Sequence, residues 1–373
     1  MSEKGDKPAQ KAEKMTDEES EKAVGKVDKS PDKTEKMGKN AKVDKDEKVE
    51  DVEEIESILD LEGVGPVTAG KLTDAGFDSV ESLAVAPIRE VADKANLESS
   101  VALKVIKAAR QSMQLDFINA KLLWERRQGL LKLSTGSSNV NNLLGGGVET
   151  QAITEFVGEF GSGKSQICMK LSITAQLPRA DGGLEGKVLF IDTEGTFAPQ
   201  RIHQMATSVG LEPEKLLEGI YYARAYNSDH QILIIDRAFK LCQEEKVKLL
   251  IVDSVLSHFR SEYIGRESLS ERQQKLNAHL HKLTRIAQAL NLAVVVTNQV
   301  QANPQAFFGD PTRPAGGHIM AHASTHRIML RKAAGGLRAA KVIDSPYLPE
   351  SETFFQITAK GIEDAQPKMR RDD

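Results

Sequence analysis

The sequence predicts an α/β fold, in which a mostly parallel β-sheet is preceded by a small all-α domain and a charged N-terminal segment. Three observations lead to this prediction. Short apolar runs alternate with helical segments over the C-terminal part of the 373 residues, which is typical of a parallel sheet covered on both faces. Five short helical segments precede these runs. Residues 1–51 contain no aromatic residue and few aliphatic ones.

Residues 1–51 consist mainly of Lys, Asp and Glu. Such a segment cannot bury enough apolar surface to offset the conformational entropy that folding removes. We therefore expect a disordered charged tail. Its positive and negative charges nearly cancel, so a solvated tail is the main interpretation. Tethering to DNA or to a partner protein is the alternative.

The composition of the whole chain narrows the classes of protein that it can be. The net charge is −4, so any DNA contact must come from local basic clusters rather than from a global field. No apolar run approaches the length of about 18 residues that a membrane span needs, and the charged start is unlike a signal peptide. Cys168 and Cys242 fall in predicted helices, which indicates buried thiols in a reducing cytoplasm.

Residues 52–113 are predicted to form a small helical domain with a DNA-binding turn. Its predicted helices are Ile55–Leu59, Pro66–Ala75, Val80–Ala84, Ile88–Ala95 and Glu98–Gln111. Gly63 and Gly65 flank one apolar residue before the second helix, the arrangement of a helix-hairpin-helix. Such a turn leaves backbone N–H groups at a helix N-terminus, where they bind a DNA phosphate without reading sequence. The alternative is a tight turn that only packs a helical bundle.

A connection at residues 114–121 separates this domain from the core, which we place at residues 122–373. The predicted strands of the core are Ile153–Val157, Lys187–Asp192, Gly219–Ala223, Val247–Asp253, Ala293–Asn298, His326–Lys332, Ala339–Asp344 and Glu352–Thr358. Most are continuous apolar runs, as expected for strands buried on both faces of a sheet.

The most specific motif follows the first of these strands. Its residues are Gly158, Glu159, Phe160, Gly161, Ser162, Gly163, Lys164 and Ser165. A strand precedes this G-x-x-x-x-G-K-S pattern and a predicted amphipathic helix, Gln166–Leu177, follows it, which is the context that defines a P-loop. Its glycines allow backbone N–H groups to point at phosphate oxygens. We therefore predict ATP and Mg²⁺ as cofactors, with Lys164 on the β- and γ-phosphates, Ser165 on Mg²⁺ and Gln166 beside the nucleotide.

Polar side chains follow three further predicted strands at their carboxyl ends, where ligands bind in open α/β sheets. Asp253 ends a run of apolar residues, and a carboxylate there can hold Mg²⁺. Glu194 follows another strand, and we predict that it orients or deprotonates the attacking water; an acid that only caps the next helix is the alternative. Asn298 and Gln299 are expected to sense the γ-phosphate.

Two polar segments beside these strand ends are candidate DNA contacts. In the first segment the candidate residues are Arg260, Tyr263, Arg266 and Arg272. Its glutamates dilute the positive charge, so a solvated loop is the alternative. The second segment, residues 300–317, is rich in Pro and Gly and carries Phe307 and Phe308. Long loops in compact domains are usually functional or disordered, and aromatics beside a γ-phosphate sensor predict an ATP-controlled contact with single-stranded DNA.

In this order, the motifs resemble those of the archaeal RadA recombinases of the RecA family. They are GEFGSGKS, DTEGTF, LLIVDS, TNQVQANP, FFGDPTRPAGG, AHAST and DSPYLPE, and the resemblance covers residues 52–364. It implies a RecA-like P-loop ATPase core and a DNA-dependent ATPase in the cytoplasm, at the nucleoid. Such proteins form helical filaments on single-stranded DNA, pair it with homologous double-stranded DNA and exchange strands. The resemblance names no mediator protein.

The resemblance also assigns further residues. Arg201 is similar to the arginine that stacks on adenine, and Gln299 to the switch between the γ-phosphate and the DNA. His322, Asp344 and Pro349 resemble residues that contact the ATP of a neighbouring subunit. It implies a monovalent cation at this interface, with Asp344 as a candidate ligand. The two polar segments match the two DNA-binding loops of the family.

Residues 117–120 match the family's F-x-x-A polymerisation motif. The resemblance implies that this extended segment adds to the sheet edge of a neighbouring copy, where Phe117 fills a pocket and Ala120 occupies a position too small for a larger residue. Because the two contacting surfaces differ, the contact builds an open helix. Closed rings are the other assembly that we expect.

The chain departs from the family's pattern after the catalytic glutamate. The family commonly has T-F-R-P-E-R there, whereas Ala198 and Gln200 replace the charged pair in this chain. Arg201 remains, so we expect a modest change in ATP affinity or turnover rather than inactivity.

Two alternatives to an active recombinase stay open. One is a regulatory paralogue with a RecA-like core and no strand exchange; the helical domain and the long second segment argue against it. The other is a ring-forming DNA motor, against which the F-x-x-A motif and the helix-hairpin-helix domain argue.

Overall fold

The computed structural model describes residues 57–113, 117–302 and 312–365. The predicted tail, Phe307 and Phe308 lie outside the described residues. The N-terminal helices are α1 (Pro66–Asp74), α2 (Val80–Ala84), α3 (Ile88–Lys94) and α4 (Ser99–Ser112). The later helices are α5 (Ala120–Gln128), α6 (Ser138–Leu143), α7 (Lys164–Thr174), α8 (Pro199–Ser208), α9 (Pro213–Glu218), α10 (Ser228–Glu244), α11 (Ser257–Glu262), α12 (Leu269–Ala289) and α13 (Gly317–Ala323).

The first two strands of the described residues have two residues each, and the later ones are longer. They are β1 (Lys132–Leu133), β2 (Val148–Glu149), β3 (Ile153–Gly158), β4 (Lys187–Asp192), β5 (Ile220–Arg224), β6 (Val247–Asp253), β7 (Ala293–Asn298), β8 (Val300–Ala302), β9 (Thr312–Pro314), β10 (His326–Lys332), β11 (Arg338–Asp344), β12 (Glu352–Thr358) and β13 (Gly361–Asp364). Among the described residues, no helix is both long and apolar enough to cross a membrane.

The N-terminal helices α1 to α4 surround a small apolar core. Leu72, Leu83 and Ile106 are fully buried in it. Four of the predicted helices are present, each within one residue of its predicted ends. The fifth differs, because the described residues form only a 3-10 turn at Ile58–Asp60, capped by the Ser57 hydroxyl.

Nine strands form one sheet in the order β13-β12-β11-β10-β3-β7-β6-β4-β5. The strands from β10 to β5 are parallel, and β11, β12 and β13 extend the sheet as antiparallel strands. The predicted fold class, an α/β protein with a mostly parallel sheet behind a small helical domain, is confirmed. All the predicted strands are present within one residue of their predicted ends, whereas β13 was not predicted.

Apolar side chains cover both faces of this sheet. In β6, Leu249 and Ile251 belong to one buried cluster, and Leu250 and Val252 belong to the other. Successive residues of a strand point to opposite faces, so a continuous apolar run supplies both clusters. Each such fully buried side chain contributes roughly 1.5–3 kcal/mol through the hydrophobic effect.

The helix after the P-loop was predicted to be amphipathic, and this was wrong. No residue of α7 is exposed, because the helix packs between two clusters, with Ile167 in one and Met169 in the other. The polar residues of α7 were expected to face solvent. Instead, the hydroxyls of Ser172 and Thr174 donate to backbone carbonyl oxygens one turn earlier. A hydroxyl satisfied in this way can be buried in a helix.

A buried carboxylate holds together three parts of the core. Glu155 of β3 is fully buried; its Oε2 accepts a hydrogen bond from Arg327 Nε at 2.6 Å, and its Oε1 accepts one from Asn298 Nδ2 at 2.7 Å. The same Asn298 nitrogen donates to the Ala315 carbonyl oxygen at 2.7 Å. A buried charge is tolerated only when it is paired and hydrogen-bonded, and Glu155 meets both conditions.

We expect acid to destabilise the fold through one buried histidine of α12. His279 is 3% exposed, lies 3.1 Å from Gln231 Nε2, and burial lowers its pKa to about 4. Below pH 6.5 the unfolded chain binds a proton that the folded chain does not, so stability falls as the pH drops from 6.5 to 4. The expected loss from this residue is about 3 kcal/mol.

Urea unfolding between pH 4 and 7 measures this effect against a His279→Gln variant, whose side chain does not titrate. The variant is expected to lose less stability with falling pH than the unmodified protein. Parallel pH profiles for the two proteins would contradict the assignment.

Candidate functional site

The carboxyl ends of β3, β4, β6 and β7 meet at one edge of the sheet, because these strands are parallel and adjacent or nearly so. An open cleft of about 1460 Å³ lies at this edge. The predicted site residues that line it are Gly158, Glu159, Phe160, Gly161, Gly163, Lys164, Ser165, Gln166, Glu194, Asp253 and Gln299. The topology therefore brings together the residues that the sequence predicted from separate strands.

The P-loop backbone has a shape that side chains would prevent. Gly161 and Gly163 have φ angles of 74° and 111°, in the left-handed region that glycine adopts without strain. A Cβ atom on Gly158 would lie 2.3 Å from the Leu330 carbonyl oxygen. Lys164 begins α7, and its Nζ donates to the carbonyl oxygens of Gly158 at 2.8 Å and Glu159 at 2.9 Å. A helix N-terminus with this cradle suits phosphate oxygens.

Asp253 and Ser165 fit a small divalent cation at the end of the P-loop. Asp253 is 3% exposed, and its Oδ1 accepts a hydrogen bond from the Thr297 hydroxyl. Its Oδ2 is buried and has no hydrogen-bond partner among the described residues. Burial raises the pKa of Asp253, an effect that the neighbouring Ser165 and Thr297 hydroxyls oppose. A buried carboxylate oxygen without a donor suits Mg²⁺, which prefers oxygen ligands.

Asp192 arranges the turn that carries Glu194. This buried side chain accepts hydrogen bonds from the backbone N–H groups of Glu194 at 3.0 Å and Gly195 at 2.6 Å through Oδ1, and of Phe197 at 3.1 Å through Oδ2. Arg224 pairs with the same carboxylate at 3.1 Å. The organising role of Asp192 was not predicted, because only Glu194 of the DTEGTF motif was predicted to be a site residue.

Glu194 faces the P-loop cleft rather than capping the next helix. Its Oε1 accepts hydrogen bonds from the Ser254 hydroxyl and from Gln299 Nε2, both at 2.9 Å. Helix α8 begins after Ala198, which provides no side-chain cap. The capping alternative for Glu194 therefore has no support from these contacts.

Arg201 lies beside the cleft without lining it. Its guanidinium donates to Gln166 Oε1 at 2.8 Å and to the Thr358 carbonyl oxygen at 2.5 Å. These contacts join α8 to α7 and to the end of β12. His322, Asp344 and Pro349 are exposed and do not line the cleft of their own chain, so contact with ATP would require a second copy.

The first candidate DNA segment is more ordered than the loop that we expected. Arg260 lies on α11 and Arg272 on α12, so only residues 263–268 connect these helices. Arg260 and Arg266 are exposed and Arg272 is half-buried. The Tyr263 hydroxyl accepts a hydrogen bond from Lys275 at 2.5 Å, while its ring packs against the core.

The stem of the second segment is an antiparallel pair of strands. β8 pairs with β9 from Val300–Pro314 to Ala302–Thr312, and the Ala315 N–H donates to the Gln299 carbonyl oxygen at 2.9 Å. Asn298 fastens the same end through its side chain. Gln299 therefore lines the cleft, whereas Asn298 is fully buried and holds the base of this segment instead of facing the γ-phosphate position as predicted.

The turn between the first two N-terminal elements presents its backbone to solvent. Gly63 has a φ of 82°, and Gly65 precedes Pro66 as the N-cap of α1 without a side-chain cap. Both glycines are exposed, while Val64 between them is buried. The turn is thus anchored by Val64, and first-turn N–H groups of α1 are available to a phosphate.

Phe117 and Ala120 lie where the helical domain joins the core. The Phe117 side chain is fully exposed, at 102%. Ala120 begins α5, whose N-cap Asn119 accepts a hydrogen bond from the Leu122 N–H at 2.9 Å. The extended part of the expected motif is therefore limited to residues 117–119 in this chain.

The cleft also contains residues that were not predicted to be site residues. They are Thr196, Ser254, Val300, Arg338 and Ile357. Arg338 begins β11, which reaches the cleft only because it pairs with β10 next to β3. No local sequence pattern predicts that Arg338 lies at the cleft. Ser254, which follows Asp253, was visible in the LLIVDS motif.

The fold and the site are those of a P-loop nucleotide-binding protein with a RecA-like core. A profile of the Rad51 family matches residues 126–365, and a profile described as a SAM-like helix-hairpin-helix tandem matches residues 55–111. The chain therefore belongs to the Rad51 family, which confirms the resemblance seen in the motifs.

Two curated relatives carry the name "DNA repair and recombination protein RadA". The relative from Aeropyrum pernix is 50% identical over 309 residues, which cover 83% of this chain and 97% of the relative. The relative from Ignicoccus hospitalis is 51% identical over 314 residues, which cover 83% of this chain and 96% of the relative.

We expect Ala198→Arg to change KM for ATP or kcat by about two- to fivefold, the range of one exposed ion pair. Ala198 is half-buried against the cluster of α7 and α8, and Gln200 is exposed, so an added arginine can reach solvent or a neighbouring copy. Steady-state ATPase kinetics and filament disassembly in salt measure the effect. An Ala198→Arg/Gln200→Glu double variant tests the restored pair, and unchanged kinetics and filament stability in both would contradict the expectation.

Proposed function

We propose that this chain is a DNA-dependent ATPase that forms helical filaments on single-stranded DNA and catalyses homologous pairing and strand exchange in recombination and repair. The observation that carries the proposal is the hydrogen bond from Gln299 Nε2 to Glu194 Oε1. It connects a carboxylate of the P-loop cleft to Gln299, the residue immediately before β8. This strand is part of the stem of the second candidate DNA segment. The names of the two RadA relatives support the same function.

In this proposal the cleft hydrolyses ATP to ADP and phosphate. Lys164 and the P-loop N–H groups hold the β- and γ-phosphates, and Arg201 stacks on the adenine. Glu194 orients the water that attacks the γ-phosphorus, and the bond from this phosphorus to the β–γ bridging oxygen breaks. Mg²⁺, held by Ser165 and Asp253, would neutralise charge on the phosphate oxygens.

The exposed residues outside the cleft are assigned to contacts between copies. Phe117 and Ala120 would join neighbouring subunits, while His322, Asp344 and Pro349 would complete the neighbour's ATP site, with Asp344 as a ligand of a monovalent cation. Their exposure and their absence from their own cleft support this assignment.

The DNA contacts are assigned to three parts of the chain. Single-stranded DNA would bind at Arg260, Tyr263, Arg266, Arg272, Phe307 and Phe308. Gly63 and Gly65 would hold a phosphate of the DNA backbone. The corresponding division of the chain is a tail at 1–51, a helix-hairpin-helix domain at 52–113, a polymerisation linker at 114–121 and the ATPase core at 122–373.

Electron microscopy on long single-stranded DNA, with and without ATP and Mg²⁺, tests the proposal. Extended helical filaments that form only with nucleotide are the expected result. A strand-exchange assay between the coated strand and homologous duplex then tests the reaction. Bare DNA, or isolated rings in place of filaments when DNA, ATP and Mg²⁺ are all present, would contradict the recombinase function.

A further inference from the structure

Two hydrogen bonds converge on one oxygen of Glu194. Ser254 Oγ and Gln299 Nε2 both donate to Oε1 at 2.9 Å, whereas Oε2 accepts no hydrogen bond from the residues that the structure describes. Two donors on one oxygen fix the direction of the carboxylate and leave the other oxygen for a water molecule. The orientation of Glu194 therefore depends on Ser254 as well as on Gln299.

The two donors stand just before two different candidate DNA segments. Gln299 precedes β8, and Ser254 stands three residues before α11, which carries Arg260. A second pocket, of about 540 Å³, lies between them, and Ser254, Gln299, Ser257 and Arg260 are among its lining residues. A phosphate bound by Arg260 at this pocket would lie beside both donors.

The hydroxyl of Ser254 is not needed to hold its own backbone. Thr193 Oγ1 donates to the Ser254 carbonyl oxygen at 2.8 Å, and the Ser254 N–H donates to Thr193 Oγ1 at 2.8 Å. Within the described part of the chain, the bond to Glu194 is the hydrogen bond that the Ser254 hydroxyl donates. Ser254 is 2% exposed, so bulk water does not replace this bond readily.

We infer that Ser254 is a positioning residue that couples the first DNA segment to Glu194, in parallel with the coupling of the second segment through Gln299. The inference rests on the proposed function, in which Glu194 orients the attacking water. DNA bound at Arg260 shifts the start of α11, and the Ser254 hydroxyl transmits that shift to Glu194. Full stimulation by DNA then requires both donors.

The test is steady-state ATP hydrolysis by the full chain, with and without a long single-stranded oligonucleotide, for Ser254→Ala, Gln299→Ala and the double variant. Ser208→Ala, which removes a half-buried hydroxyl of α8 that donates to the Gln204 carbonyl oxygen, is the matched control. Ser254→Ala is expected to lower the DNA-stimulated kcat about tenfold, the factor for one lost hydrogen bond to a charged group. The ratio of the rates with and without DNA is expected to fall as well, while the affinity for the oligonucleotide is expected to stay within twofold.

The double variant is expected to lose DNA stimulation altogether, while Ser208→Ala behaves like the unmodified protein. Fluorescent-nucleotide binding and thermal melting show whether Ser254→Ala keeps its fold. A Ser254→Ala variant with full DNA stimulation, with equal losses with and without DNA, or with lost nucleotide binding would overturn the inference. An unmodified protein that hydrolyses ATP without any response to DNA would instead overturn the proposed function.

Discussion

Replacing Lys164 by Ala is expected to lower kcat for ATP hydrolysis by at least about 100-fold, the effect of removing one preorganised donor from a developing charge. The ammonium group lies in the cleft, where burial lowers its pKa and the charges of Asp253 and Glu194 oppose this shift. Its hydrogen bonds to the carbonyl oxygens of Gly158 and Glu159 fix its position at the start of α7. An alanine there leaves the charge of the γ-phosphate without this cation.

Phosphate release at saturating ATP and single-stranded DNA is the measurement. Lys360→Ala removes an exposed lysine just after β12 and serves as the control for loss of one positive charge. Circular dichroism checks that both variants are folded. ATP turnover by the Lys164→Ala variant close to that of the Lys360→Ala variant would contradict the P-loop assignment.

Replacing Phe117 by Ala is expected to disperse the oligomer while leaving the subunit folded. The side chain is fully exposed in the single subunit, so its loss changes the free energy of unfolding by less than about 0.5 kcal/mol. In an assembly, a buried aromatic anchor of this kind typically contributes about 2 kcal/mol or more per contact. Because a filament repeats the contact at every subunit, the loss accumulates along the polymer.

Sedimentation velocity and thermal melting separate these two effects. Leu233→Ala, which truncates a 45% exposed side chain on α10, controls for the removal of an exposed apolar group. The Phe117 variant is expected to sediment as a small species with an unchanged melting temperature. Large polymers of this variant would rule out the linker as the polymerisation contact.

The sequence predicts the central strands of this fold well, because most of their apolar runs are long and several end in a polar residue. β6 and β7 are clear cases, ending at Asp253 and Asn298. The sequence does not predict β1, β2 or β13, since strands of two to four residues are too short to show a hydrophobic period. β1 pairs with β2 across more than ten intervening residues, a contact that only the folded chain creates.

The candidate site divides in the same way. Motif residues such as Lys164 and Glu194 can be chosen from local pattern, because the chemistry requires those residue types at those strand ends. The partners of Glu194 cannot, since Ser254 and Gln299 reach it only through the order of β4, β6 and β7 in the sheet. The helix after the P-loop was misread as amphipathic because hydroxyl groups that bond within the helix look solvent-facing in a sequence.

The closed base of the second segment has a consequence for evolution and engineering. β8 and β9 pair directly, and Asn298 ties Ala315 to the buried Glu155, so both ends of the intervening residues 303–311 are fixed at one point. Adding residues between fixed ends costs little, only about 0.6 kcal/mol for each doubling of length. The number of residues between these fixed ends can therefore change while the sheet keeps its geometry.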